Sequence, residues 1–175
     1  MLETHATSED NERGIATGWL PGWLSERGRV QALEPGRRRR EDALAAVFCS
    51  DLDRAVQTAS IAFAGSSTQR LLDWRLRERD HGEHNGAPAA SVHRSRVHRL
   101  DLPYPGGESW RQAVHRVGGL LEDLPTRWAS ARVLLIGHVA TRWALEYLIN
   151  GVALEQLAAE DFTWQPGWEY HLGSS

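Results

Sequence analysis

Lysine is absent from this 175-residue chain; all 20 of its basic residues are arginine. Its absence excludes Schiff-base chemistry, a Walker-type phosphate lysine and a Ser–Lys dyad. Coding bias is the plainest cause, but the consequence holds whatever the cause. An anion site here must be built from arginine, histidine and backbone N–H groups. Cysteine is nearly absent as well. The single Cys49 excludes an intramolecular disulfide framework and any all-cysteine metal site. No apolar run reaches membrane-spanning length, and the polar opening has no secretory-leader pattern, so the expectation is a cytoplasmic chain without a membrane partner. Charge of one sign clusters only at Arg37–Arg40, in a chain of net charge −3; this reads as a solvated helix end, not a nucleic-acid surface.

What is present is ordinary globular material, 41% hydrophobic and 25% charged, enough for a single domain over residues 1–175. "MLET" allows at most a short strand. A polar, glycine-rich loop follows, and then "LSERGRVQAL", a helix with Ser25 as its N-cap. Pro35-Gly36 interrupts that pattern. "LAAVFCS" has strand character, "DLDRAVQTASIAFAG" is helical and ends at Gly65, and "QRLLDWRL" is a further short strand. Residues 79–107 read as loop, and "ESWRQAVHRVGGLLEDLPTRWA" as a long amphipathic helix. "ARVLLIG" is the strongest strand, and "VATRWALEYLING" a helix closed by Gly151. "FTWQPGWEYHL" is a last strand or hairpin on this reading. Alternating strands and helices predict an α/β fold, a three-layer α/β/α sandwich around a mostly parallel sheet.

In such a sheet, ligands gather at the carboxyl ends of the strands. Those ends carry His5 after the first strand, Ser50, Asp51 and Arg54 after the second, and His138 after the strongest one. Two histidines, an arginine and a carboxylate in one cleft suit phosphoryl transfer through a phosphohistidine. Neutral imidazole attacks phosphorus, arginine neutralises the phosphate oxygens, and a carboxylic acid protonates the leaving alkoxide before activating water. That cycle needs no metal and no other cofactor.

Six segments, in order, resemble the histidine phosphatase superfamily, the phosphoglycerate mutase-like proteins. "THATSEDN" stands where the family has R-H-G-x-[TS]-x-x-N, and "GW" with "LSERGRVQA" where it has G-W and L-[TS]-x-x-G-x-x-Q-A. "CSDLDRAVQTA", "LRERDHGEHNG", "PGGES" and "IGHVATRWAL" complete the series. The resemblance implies a family-type α/β/α sandwich and hydrolysis of a small phosphorylated substrate. It implies His5 as nucleophile, Arg54 and His138 as holders of the phosphoryl oxygens, and Glu78 as proton donor and then base. It places Thr4, Ser8, Asn11, Trp19, His81 and Val139 around the substrate, with Asp80 or Glu83 as alternatives for the acid and His84 as an alternative wall. Only Ala87 to Tyr104 separates the acid loop from "PGGES", which favours hydrolase over mutase.

The departures are specific. Thr4 and Ala6 replace the arginine and glycine of R-H-G, Val139 replaces a glycine, and Arg142 comes one place early with Trp143 in its slot. A lost bidentate phosphate contact costs about 3 kcal/mol of transition-state stabilisation. Three outcomes are open: a relocated arginine (Arg79 or Arg13), a slower enzyme, or a protein that binds a phosphorylated ligand or partner without turnover. His81, His84, His93 and His98 lie on loop-like sequence without the spacing of a metal site. Substrate identity and homo-oligomer formation are left open by the sequence.

Overall fold

The computed structural model describes residues 1–173. Its strands are β1 (Leu2–Thr4), β2 (Ile15–Ala16), β3 (Ala46–Cys49), β4 (Arg70–Leu72), β5 (Ala87–Pro88) and β6 (Val133–Gly137). Four of them form a parallel sheet in the order β1-β6-β3-β4, while β2 and β5 pair antiparallel as a separate ribbon. The helices are α1 (Glu9–Glu12), α2 (Glu26–Gln31), α3 (Leu33–Arg38), α4 (Asp53–Ala62), α5 (Ala89–Ser95), α6 (Trp110–Trp128), α7 (Val139–Leu148) and α8 (Leu154–Ala159).

Side chains alternate across the sheet, and both faces are covered. Leu2, Phe48 and Leu135 join one core with Val114, Val117 and Leu121 of α6 and Trp143 and Ala144 of α7. Val47, Cys49, Leu134 and Ile136 face the other way, onto Ala55 and Ala59 of α4 and Phe63 just beyond it. A strand buried on both faces has no polar side, which is why β6 reads as an unbroken apolar run. The expected α/β/α layering with a parallel central sheet is what forms.

Helix starts follow local chemistry. Ser25 Oγ accepts from Gly28 N–H at 3.1 Å to open α2. Ser109 and Gln112 form a reciprocal capping box at the start of α6. Pro35-Gly36 was expected to break the helical pattern, yet both lie inside α3. Pro35 sits in the first turn, where its missing N–H has no intrahelical partner to lose. Gly36 is there for contact: a Cβ would lie 1.8 Å from the Ala62 carbonyl oxygen of α4.

Three further expectations need correction. The arginine run is not a solvated helix end, because Arg38 and Arg39 reach the β1 carboxylate of Glu3 at 2.8 and 3.1 Å. Glu3 is only 2% exposed, so the arginines neutralise a charge that the sheet edge buries. Residues 79–107 are not all loop: they contain β5, α5 and short 3₁₀ turns at Gly82–His84 and Arg96–Arg99. Polar residues and a proline obscured α5, whose inward face is mainly Val92. The C-terminal segment makes no strand or hairpin among the described residues. Trp168 exchanges two backbone hydrogen bonds with Leu2 (2.8 and 2.9 Å) as an isolated bridge.

Gly28 in α2 packs directly on the loop after His5, where a Cβ would lie 1.9 Å from the Thr7 carbonyl oxygen. Replacing a helical glycine by alanine ordinarily gains about 1 kcal/mol. Displacing backbone in a packed site costs about 1–3 kcal/mol. Gly28→Ala is therefore expected to be net destabilising by up to about 2 kcal/mol, read as a lower urea midpoint at unchanged slope; a higher midpoint would contradict this packing.

Candidate active site

The site is assembled at the carboxyl end of β6. His5 N–H donates to the Gly137 carbonyl at 3.0 Å, and Ser50 N–H donates to the Ile136 carbonyl at 2.9 Å. His138 follows β6 directly and caps the start of α7. Three chain segments far apart in sequence are thus tied to consecutive peptide groups of one strand. Above them opens a cleft of about 710 Å³, lined among others by Thr4, His5, Arg54, Glu78, His81 and His138.

The two histidine rings lie 4.9 Å apart between centroids, tilted by 54°. His5 Nδ1 is 2.7 Å from its neighbour's carbonyl, Ala6 O. A carbonyl only accepts, so the proton is on Nδ1 and Nε2 keeps its lone pair. Desolvation and then the charge of Arg54 depress His5 to about 3, so the ring is neutral at physiological pH. His138, only 1% exposed, is likewise held well below its usual range by burial and then by Arg54.

Arg54 occupies the first turn of α4 and is 2% exposed. One terminal nitrogen donates to the Gly18 carbonyl at 2.9 Å, and the other, Nη1, has no protein partner. A buried guanidinium with a free N–H in a cleft is prepared for an anion. Glu78 stands opposite the α7 start, where its Oε1 accepts from Arg79 N–H (2.8 Å) and Ala140 N–H (3.2 Å). Of the alternative acids, Asp80 is consumed within its own loop by Gly82 N–H and Asn85 Nδ2, and neither it nor Glu83 lines the cleft.

Arg79 is fully buried, lies 4.9 Å over the Trp110 ring, and leaves Nε and Nη2 unpartnered. Its charge helps depress His81, which burial above all holds at about 3. Arg54, not Arg79, is the guanidinium whose charge reaches His5 and His138. Arg79 lines the same cleft as Thr4, His5 and His81. Arg13 is excluded as a relocated cation: its side chain is 68% exposed and pairs with Asp10.

Several substrate-lining expectations change. Trp19 does not line the cleft. Its Nε1 donates to the Glu78 carbonyl at 2.6 Å and Arg77 stacks on it at 4.6 Å, so the indole supports the acid from behind. Ser8 is fully buried and caps α1, in a reciprocal box with Asn11; Asn11 lines the cleft, with its Oδ1 accepting from Ser8 N–H. Thr4, His81 and Val139 do line it. His84 turns away to stack on Tyr104, with centroids 4.1 Å apart. Among the described residues, no three His, Cys, Asp or Glu side chains gather as a metal site.

Residues that sequence reading missed complete the cleft. Trp110 and Trp143 stack at 3.8 Å and line it together with Phe162 and Trp164 from the C-terminal segment. Arg116 ties the acid loop to α6, donating to the carbonyls of Arg75 (2.7 Å), Arg77 (3.1 Å) and Glu78 (3.3 Å) while paired with Glu108 at 2.7 Å. The available signal was an arginine on the buried stripe of an amphipathic helix.

The family model for the histidine phosphatase superfamily (branch 1) matches residues 2–164. A putative phosphoserine phosphatase 2 of Hydrogenobacter thermophilus is 31% identical over 99% of this chain and 84% of its own length. A 2,3-bisphosphoglycerate-dependent phosphoglycerate mutase of Methylobacterium sp. is 31% identical over 90% of this chain and 83% of its own. Among solved structures, a mycobacterial glucosyl-3-phosphoglycerate phosphatase complexed with VO3 superposes with a TM-score of 0.80, at 23% identity, over 90% of this chain and 84% of that one. The parallel sheet, the paired histidines at its carboxyl edge and these matches agree: the chain belongs to the histidine phosphatase superfamily, branch 1.

Proposed function

We propose that the chain is a phosphatase that hydrolyses a phosphate monoester through a phosphohistidine at His5, without a metal. The observation that carries this reading is the tautomer of His5. Its Nδ1–H donates to the Ala6 carbonyl, and its unprotonated Nε2 belongs to a ring kept neutral beside an arginine whose Nη1 has no partner among the described residues. A neutral imidazole beside an anion-ready guanidinium is a nucleophile matched to phosphorus.

In the proposed cycle, Nε2 of His5 attacks phosphorus while Arg54 and His138 hold the non-bridging oxygens. The P–O bond to the alcohol breaks, and Glu78 delivers the proton to the departing oxygen. Glu78, now ionised, takes a proton from water, whose oxygen attacks phosphorus and frees His5. The proton stays on His5 Nδ1 throughout, and the Ala6 carbonyl accepting from it stabilises the positive ring of the phosphohistidine. The backbone donors on Glu78 Oε1 hold the carboxyl in place, and Oε2 makes no protein hydrogen bond among the described residues.

Hydrolase is favoured over mutase by the compact stretch from Ala87 to Tyr104, and a small phosphorylated metabolite fits a cleft of about 710 Å³. Relatives carry the names of phosphoserine phosphatase and phosphoglycerate mutase, which makes small phosphorylated acids the first substrates to screen. One observation favours a second reading, a slow or non-catalytic binding protein. Thr4 lines the cleft in the place of the signature arginine, and the guanidinium felt by the two histidines is Arg54.

Phosphate release from an aryl phosphate in excess EDTA is expected for the wild type and is expected to fall to background in His5→Ala. An acid-quenched reaction should trap label on histidine; no turnover in either protein would favour the binding reading. Glu78→Gln should slow alkyl phosphates by about 10²–10⁴-fold while sparing activated aryl phosphates. Equal losses on both substrates would remove Glu78 from the acid role. Thr4→Arg should raise turnover about tenfold or more, since it restores a charge-assisted phosphate contact. Unchanged or lower turnover would point to a relocated arginine or a cleft reshaped around Thr4.

A further inference from the structure

The cycle above makes no use of "PGGES", although this segment packs closely on the acid loop. A Cβ on Gly107 would lie 2.6 Å from both the Asp80 carbonyl oxygen and the Gly82 nitrogen, so the two backbones touch. The acidic residue of the segment, Glu108, does not line the cleft. We infer that Glu108 is a positioning residue for the proton donor: directly and through Arg116, it holds the backbone on both sides of Glu78 and so sets where that carboxyl stands.

A guanidinium has five N–H groups, and Arg116 spends all five. Nε and Nη2 donate to the two carboxylate oxygens of Glu108 at 2.9 and 2.7 Å. Nη1 donates to the carbonyls of Arg75 and Arg77, and Nη2 also to that of Glu78, at 2.7, 3.1 and 3.3 Å. The Arg116 side chain is only 4% exposed, and a cation so buried keeps its place only beside a counter-charge. Without Glu108, two of the five donors lose their acceptors, and the guanidinium turns toward other partners and releases the three carbonyls. Glu108 also acts on the far side of the acid. Its Oε2 accepts from Asp80 N–H (3.1 Å), its N–H donates to the Asp80 carbonyl (2.9 Å), and its carbonyl accepts from Arg79 Nη1 (3.3 Å). Residues 75, 77 and 78 are thus held through Arg116, and residues 79 and 80 by Glu108 itself. Glu78 sits in the middle of that frame. A reacting group misplaced by about 1 Å can cost roughly 10²-fold in rate, so the frame matters to the chemistry without touching it.

This inference rests on the reading of Glu78 as the acid for its catalytic part, and its structural part is measured apart from activity. In Glu108→Ala, amide hydrogen exchange at residues 78–82 is expected to quicken about tenfold or more, while the amides of β6 and α4 stay protected. Turnover of an alkyl phosphate should fall roughly 10- to 100-fold in kcat, whereas an activated aryl phosphate, which needs no proton donor, should stay within about threefold. Glu108→Gln, which keeps one acceptor oxygen, should lie between wild type and Glu108→Ala. Combined with Glu78→Gln, Glu108→Ala should add no further loss on the alkyl phosphate, because it acts through Glu78. Arg116→Lys keeps the charge beside Glu108 but not the planar fork; it should show the same pattern and carries the test if Glu108→Ala does not fold. Unchanged exchange at residues 78–82, equal losses on the two phosphates, or additive losses in the double variant would each overturn the assignment. Should Glu78→Gln alone slow both phosphates equally, the acid reading fails, and the exchange measurement still decides whether Glu108 holds the loop.

Discussion

Two backbone hydrogen bonds to consecutive carbonyls of β6 organise this molecule: His5 N–H to Gly137 and Ser50 N–H to Ile136. They fix the ends of β1 and β3 against the end of β6, and with them the His5 ring, the Ser50 hydroxyl and the His138 ring. Side chains in a strand alternate faces, so a slip of one residue in either pairing would send His5 or Ser50 to the wrong side of the sheet. The alternation of Leu2, Phe48 and Leu135 against Val47, Leu134 and Ile136 makes such a slip expensive, because it would expose both cores at once. The site inherits its geometry from that burial.

The cleft is also where the molecule departs from ordinary polar satisfaction. Among the described residues, Arg54 Nη1, Arg79 Nε and Nη2, His81 Nδ1 and Trp110 Nε1 have no hydrogen-bond partner, and all belong to residues that line the cleft. Folded proteins rarely leave buried donors unpaired unless something else is to pair with them. Two arginines, a histidine and a tryptophan therefore carry unpaired nitrogens around one cleft. The same burial keeps the histidines neutral. Desolvation is the largest influence on His5, His81 and His138, and Arg54 adds to it on each, so burial and the buried guanidinium together disfavour protonation of the rings.

Support for the acid is spread over distant elements. Glu78 is carried on a loop whose carbonyls are held by Arg116 from α6 and by the indole of Trp19, while its carboxyl is held by the first turn of α7. Trp19 was legible as a residue near the site but not in its role, because a tryptophan beside a glycine-rich loop looks the same from either side of the acid. Ser8 shows the complementary error. Its place in the family signature suggests the pocket, whereas its spacing to Asn11 is that of a capping box, and the local hydrogen bonds govern where it points. Arg38 and Arg39 looked solvated because their partner, Glu3, lies 35 and 36 residues away in sequence.

By itself the sequence determined the fold class and the chemistry available. Lysine-free composition, the continuous apolar run of β6 and helix signals such as Ser25 and Ser109 act over a few residues, so they are legible without a structure. It also determined which side chains end the strands: His5, Ser50 and His138 stand there because strand and signature coincide. Only the tertiary structure decided the states of those side chains. The His5 proton is on Nδ1 because the Ala6 carbonyl bends back to it, and the ring is neutral because the fold dehydrates it beside Arg54. Arg79 stands over Trp110, and Ser50 meets His138 across 88 residues of chain. Protonation, partner choice and orientation depend on desolvation and on atoms a few ångströms away in space, and those neighbours exist only once the sheet has closed.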